Sequence, residues 1–259
     1  MTCLASLGLF LCFLCQPASR EKASPGWPLW QQAQQALLRG ETNRAIDLYE
    51  QSLAADSKLT RNYLGLAAAW LDKGDDDRAC LHLMLYVAAH PEHLSVRAQY
   101  AELLHRLRRL KQARLEFERF IADIQQDEEL AEEHLVHCHS RLMEIAESEE
   151  DEYDAHLHRG IGLYLLGRQQ ARQPRGELPA EGMLCRAAAE LTLARRERPD
   201  EARPLWYLHE VWASLAQSQP AARSLRAAAS VAPFSYLTPT EQRDLDLACR
   251  QRDHACLPK

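Results

Sequence analysis

Small and bulky apolar residues recur along this chain four apart: Ala45 precedes Tyr49, Ala79 precedes Leu83, Ala113 precedes Phe117, Ala187 precedes Leu191 and Ala221 precedes Leu225. The first three pairs stand 34 residues apart, and the last two repeat that interval after an interruption. Residues four apart share one face of an α-helix, so each pair sets a small contact one turn from a large one, which lets a second helix approach and interlock. No stretch alternates with period two for long enough to make a sheet. The pattern therefore predicts helices in pairs, over 28–39 with 43–56, 60–73 with 76–89, and 94–108 with 110–124. A further helix over 128–147 carries one apolar stripe, Ala131, Leu135, Cys138, Leu142 and Ile145, and another follows over 151–169.

The punctuation between helices keeps the same register. Turn signals fall at Gly40 and Gly74, and the positions that close a unit are Ser57, Pro91, Gln125, Pro199 and Pro233, where proline stops a helix. Residues 168–182 are rich in Gln, Arg and Pro and read as a polar loop. From Ala113 to Ala187 the chain runs 74 residues, which hold either one unit with a large insertion or two units with six extra residues. Near the end, Thr238-Pro-Thr-Glu241 has the composition of a capping box with proline at the first helical position, and it predicts a helix to Arg250 that carries Leu245 and Leu247.

With helix pairs at this period the chain resembles the tetratricopeptide repeat (TPR) family over residues 27–234, and RAIDLYEQSLAADS at 44–57 carries the best match. The first-helix half of the family signature is degenerate. Trp30 stands one place off the usual aromatic position, Ala33, Ala67 and Ala101 replace the first-helix glycine, and Gly160, followed by Leu163, retains it. The resemblance implies an all-α fold, a right-handed α-α superhelix of about five helix pairs closed by a C-terminal capping helix. The expected organisation is a leader over 1–19 and a linker over 20–27, then three units over 28–127 and an irregular helical unit with its loop over 128–182. Further units over 183–234 and a capping helix with a tail over 235–259 complete it.

The resemblance also implies a non-catalytic scaffold whose partner is another protein, bound as a peptide segment in the concave groove lined by first helices. The positions that would face the groove are Trp27, Trp30, Arg61, Leu64, Ala68, Ala98, Glu102, His105 and Arg106, with Trp206 and Glu210 in the last unit. Aromatic and Arg side chains supply most interface anchors. Glu116 and Arg119 would face outward from a second helix. The Lys, Asn and Arg positions of the carboxylate-clamp subset are Gln, Ala and Leu in the first unit, so chaperone C-termini are not the expected ligand. Arg61 and Arg106 remain as grips for an acidic peptide.

Charge narrows the partners. With 31 basic against 37 acidic residues the net charge is −6, which gives no general affinity for nucleic acid or anionic lipid. A basic stretch (Arg106, Arg108, Arg109, Lys111, Arg114) and an acidic one (Glu147, Glu149 to Glu152, Asp154) read as solvated turns. Residues 3–15, CLASLGLFLCFLC, resemble a signal-peptide h-region and fall short of the roughly 20 apolar residues of a membrane span. The expectation is an exported or membrane-tethered protein, and the alternative is a cytoplasmic one, because no Lys or Arg precedes the run. Of eight cysteines three lie in this leader. Cys80, Cys138 and Cys185 are expected at buried faces, and Cys249 with Cys256 would close a disulfide clip in an oxidising compartment.

No glycine-rich phosphate loop, nucleophile elbow or zinc-protease motif is present, so neither an enzyme nor a cofactor is expected. The competing function is a metal-binding or redox protein built on the helix 128–147, whose HLVHCHS segment holds His134, His137, Cys138 and His139. His134 and Cys138 are four apart and share a face, with His156 or His158 of the next helix as a third ligand, while His137 and His139 point elsewhere.

Overall fold

The computed structural model describes residues 24–124, 131–172 and 179–255, and all regular structure among them is helical. The helices are α1 (Trp27–Leu38), α2 (Thr42–Ala55), α3 (Arg61–Asp72), α4 (Asp76–Ala89), α5 (Leu94–Arg106), α6 (Leu110–Ile124), α7 (Ala131–Ser148), α8 (Glu152–Arg172), α9 (Ala180–Glu197), α10 (Ala202–Ser214), α11 (Ser218–Val231) and α12 (Pro239–Ala255). The apolar leader and Cys256 lie outside the described residues, as do residues 173–178 of the expected 168–182 loop, whose two ends are helical instead, 168–172 in α8 and 180–182 in α9. Among the described residues no helix is long and apolar enough to cross a membrane.

Five hairpins share one turn. At Gly40, Gly74, Arg108, Glu150 and Ala216 the backbone enters the left-handed region, with φ of 75°, 76°, 58°, 58° and 56°. The next residue then donates its N–H to a carbonyl five back: Glu41 to Ala36, Asp75 to Trp70, Arg109 to Leu104, Asp151 to Ala146 and Gln217 to Trp212, all within 2.9–3.0 Å. This is the Schellman closure of a helix C-terminus. Glycine marks only the first two; a side chain at such a φ costs about 1–2 kcal/mol, so packing of the hairpins must override local preference at the other three.

The alanine and bulky pairs all lie in the core. Ala45, Ala79, Ala113, Ala187 and Ala221 are buried, as are Tyr49, Leu83, Phe117, Leu191 and Leu225. Close approach goes further at two glycines: a Cβ on Gly65 would sit 2.3 Å from the Tyr49 ring, and one on Gly160 would sit 2.7 Å from Leu191 Cγ. Successive hairpins are tied at their turns by polar pairs, Lys73 to Asn43 at 2.8 Å, Arg106 to Asp76 at 2.6 Å and Arg109 to Asp77 at 2.5 Å. Arg106 and Arg109 of the basic stretch are thus seated on the preceding acidic turn.

The chain divides into two compact units, one ending at Glu116 and the other beginning at Phe117. In the first, α1 packs on α2, α3 on α2 and α4, and α4 on α5. In the second, α8 serves two partners. It closes a hairpin with α7 through Glu150, and it packs along α9 through Gly160 and Leu191. One 21-residue helix acting in two pairs is why the spacing between Ala113 and Ala187 admits two interpretations. The last hairpin, α10 with α11, is covered by α12. The predicted capping box forms: the Glu241 N–H donates to Thr238 Oγ1 at 3.2 Å and the Thr238 N–H to Glu241 Oε2 at 2.9 Å.

Candidate functional site

In the first unit the chain enters α1 pressed against α2. Gly26 allows this, since a Cβ there would stand 2.5 Å from the Ser52 carbonyl oxygen, and the Ser52 hydroxyl donates to the Gly26 carbonyl at 2.8 Å. Asn62 of α3 donates in turn to Ser52 Oγ at 3.0 Å, so the first turn of α1 is fixed to both neighbours. That turn carries Trp27 and Trp30, stacked at 4.5 Å between ring centroids with 21° between planes. Arg61, at the start of α3, lays its guanidinium 5.5 Å from the Trp30 ring centre and is itself buried, so it braces the indole rather than standing open as a grip for an acidic peptide. Both tryptophans are half-buried, and the Trp30 Nε1–H is buried with no hydrogen-bond partner.

The remaining groove positions do not all join this cluster. Leu64 and Ala68 are buried in the core, and Ala98, Glu102 and His105 are half-buried on α5. Arg106 is exposed and ion-paired with Asp76. In the second unit Trp206 is buried against His209, with ring centroids 5.4 Å apart, and Glu210 accepts the Tyr164 hydroxyl at 2.7 Å. Burial, with the Glu210 charge second, pushes the Tyr164 phenol up. Leu64, Ala68 and Trp206 thus leave little surface for a bound segment: the repeat frame identifies a helix face, and packing decides how much of that face stays exposed. Glu116 also departs from its outward placement, being buried and accepting from Arg97 at 3.0 Å, whereas Arg119 is exposed as expected.

The second unit contains a cavity of about 220 Å³ walled by Tyr153, His158, Arg198, Glu201, Arg203 and Thr238 among others. Its cations are already engaged. Arg198 lies 4.2 Å from the Tyr153 ring centre and pairs with Asp151 at 3.0 Å. Arg203 donates through Nε to both oxygens of Glu241, at 2.9 and 3.1 Å, and Tyr207 donates to the same carboxylate at 2.9 Å. Burial alone would pull the Arg203 guanidinium down, but the Glu241 carboxylate outweighs it and the net shift is upward. The arrangement neutralises a buried charge and leaves it poorly placed to bind an anion.

The histidine-rich segment does not assemble the expected ligand set. His134 is exposed with Phe120 edge-on at 6.2 Å, Cys138 is buried, and His156 bonds Glu190 at 2.7 Å through Nδ1. His139, instead of pointing away, is buried and meets His158 with 2.9 Å between their Nδ1 atoms. Burial, with the Arg203 charge second, pushes the His139 imidazole down to about 3. The sequence held this signal, because His139 falls four after Leu135 and three before Leu142, on the stripe itself. Cys185 is exposed rather than buried, and Cys249 is half-buried in α12. Sequence reasoning also passed over His90, Glu92 and His93, which share one turn.

Helix hairpins at a 34-residue register, small-residue crossings and a terminal covering helix make this a TPR-like helical repeat. No protein-family model matches the sequence, and comparison with curated proteins finds no match. Among solved structures the chain is similar to YrrB, a TPR protein with an unusual peptide-binding site, at 16% identity over 90% of this chain and 95% of that one, with a TM-score of 0.36. It is also similar to the nearly identical TPR-like repeats of a Podosopora anserina kinesin light chain (18% identity, 76% and 98% covered, TM-score 0.45). PilF of Pseudomonas aeruginosa is a third (13%, 89% and 100%, 0.40). The helix pairs of this chain, not these superpositions, define its fold.

Proposed function

We propose that the protein is a non-catalytic scaffold that holds a segment of a partner protein against the first helices of the first unit, anchored on the half-buried Trp27 and Trp30, with the buried Arg61 bracing Trp30 from behind. The supporting observation is the cluster itself: two stacked, half-buried indoles with a guanidinium over one of them, fixed by the Gly26, Ser52 and Asn62 contacts. Rigid aromatic rings give contact area at small entropic cost, which is one reason they dominate binding hot spots. Glu102 and Arg106 would flank the bound segment on α5. Export through the apolar run at 3–15 belongs to the same proposal, and a reporter active only after translocation, fused behind residues 1–24, tests it: a silent, soluble fusion places the scaffold in the cytoplasm.

The groove is tested with peptides selected from a displayed library against the immobilised full chain. Trp30→Ala should weaken a selected peptide by about 1 kcal/mol or more, roughly fivefold, with helicity retained. Leu81→Ser, on the outer α4 face where Leu81, Met84 and Leu85 are exposed, should change little. A larger loss at Leu81 than at Trp30 would move the binding surface to the second helices.

A further inference from the structure

We propose that the turn between α4 and α5 is a binding site for a zinc-class divalent ion, held by His90, Glu92 and His93. Each of these three side chains offers a ligand atom within 4.8 Å of the other two. His90 Nδ1 lies 3.3 Å, and His93 Nε2 3.8 Å, from the same Glu92 oxygen, Oε1. A tetrahedral zinc with ligands at about 2.0–2.1 Å sets its donor atoms roughly 3.3 Å apart, so the first distance already fits and the second needs about half an ångström.

The outer contacts are those of a metal site. The opposite nitrogen of each ring is held by a hydroxyl: His90 Nε2 by Thr60 Oγ1 at 2.6 Å, and His93 Nδ1 by the Tyr86 OH at 2.7 Å. Hydrogen bonds of this kind fix the tautomer and aim of a ligating imidazole. The two rings are near parallel, 5.1 Å apart at 11°, and Tyr86 packs against both. The backbone is closed as well, with the His93 N–H donating to the His90 carbonyl at 3.1 Å and Pro91 restricting the turn between them. Two imidazoles and one carboxylate suit zinc, copper or nickel rather than magnesium or calcium. Three protein ligands leave a fourth position for water or for a side chain of another molecule. The site is independent of the Trp27, Trp30 and Arg61 cluster, so either assignment can fail without the other.

The test uses the full chain, stripped by chelator and titrated with zinc chloride by calorimetry, with cobalt(II) absorption as a readout of ligand geometry. One equivalent should bind. Glu92→Gln should weaken zinc by at least about tenfold, His93→Ala by about a hundredfold, and Tyr86→Phe, which removes only an outer hydroxyl, by about tenfold. Doubly substituted His134→Ala and His137→Ala, at exposed positions of α7, should bind as the parent does. Circular dichroism checks folding, and because the Glu92 side chain is exposed, Glu92→Gln decides the matter even if His93→Ala does not fold. No uptake by the parent chain at micromolar zinc, or unchanged affinity in Glu92→Gln and His93→Ala, overturns the site.

Discussion

His139 and His158 in the second unit and His90 and His93 in the first are both imidazole pairs, yet they occupy opposite environments. The former pair is nearly sealed from solvent between α7 and α8, bonded nitrogen to nitrogen, with Arg203 raising the cost of any further positive charge. The latter stands at a half-exposed turn, bonded outward to hydroxyls, with one carboxylate oxygen 3.3 Å from His90 and 3.8 Å from His93 on the inner side. Histidine density along the sequence favours the first region and chemistry favours the second. Helix packing makes the difference, since a stripe position is driven into the core whatever its side chain, while a turn between hairpins keeps its side chains accessible and close together.

The strongest way to break this contrast is to disturb the charge near the sealed pair. Glu241→Ala would leave Arg203 buried without its acceptor and remove the α12 cap, and a loss of about 3–5 kcal/mol is expected by urea unfolding. Glu92→Gln in the first unit, at an exposed carboxylate, should stay within about 0.5 kcal/mol without metal. Comparable costs at the two sites would show that the second unit does not depend on its buried charge network.

Acid gives the next largest effect. Folded His139 takes up a proton only near pH 3, whereas an unperturbed histidine does so near 6.5. Below 6.5 the unfolded chain therefore binds more protons than the folded one, and stability falls as pH falls. By pH 5 this amounts to about 2 kcal/mol, present in full above 6.5. Stability measured from pH 7 to 5 should show that slope in the parent and lose it in His139→Phe; an unchanged slope would put the acid sensitivity elsewhere.

The smallest effect asks whether the units share one hairpin grammar despite their different histidine sites. Arg108→Gly in the first unit and Ala216→Gly in the second relieve the same left-handed backbone, and each should stabilise by up to about 1 kcal/mol in thermal melts. A gain in one unit alone would mean that the side chain at the other turn makes contacts worth as much as the strain.

Much of the scaffold was legible because it is periodic. Each alanine and bulky pair marks a crossing that needs a small residue, and each of these crossings is buried as the spacing required. Thr238 and Glu241 were legible for a local reason, since a capping box closes within one turn. The site was legible only in part. Trp30 stays half-exposed, but Leu64 and Trp206 share its repeat position and are buried, a difference that depends on how closely the next helix approaches. Gly65 and Gly160 carry part of that information, though which ring each admits is invisible in the sequence.

The sequence by itself determined the helix pairs, their register, the alanine crossings and the final capped helix, because these follow from the 3.6-residue period and from contacts within a turn or between adjacent helices. Only the tertiary structure decided that α8 serves two partners, that Glu241 neutralises Arg203 from 38 residues away, and that His139 is sealed in while His90 and His93 converge on Glu92. These outcomes depend on distances between elements, and such distances are set by the summed packing of many side chains rather than by any one of them.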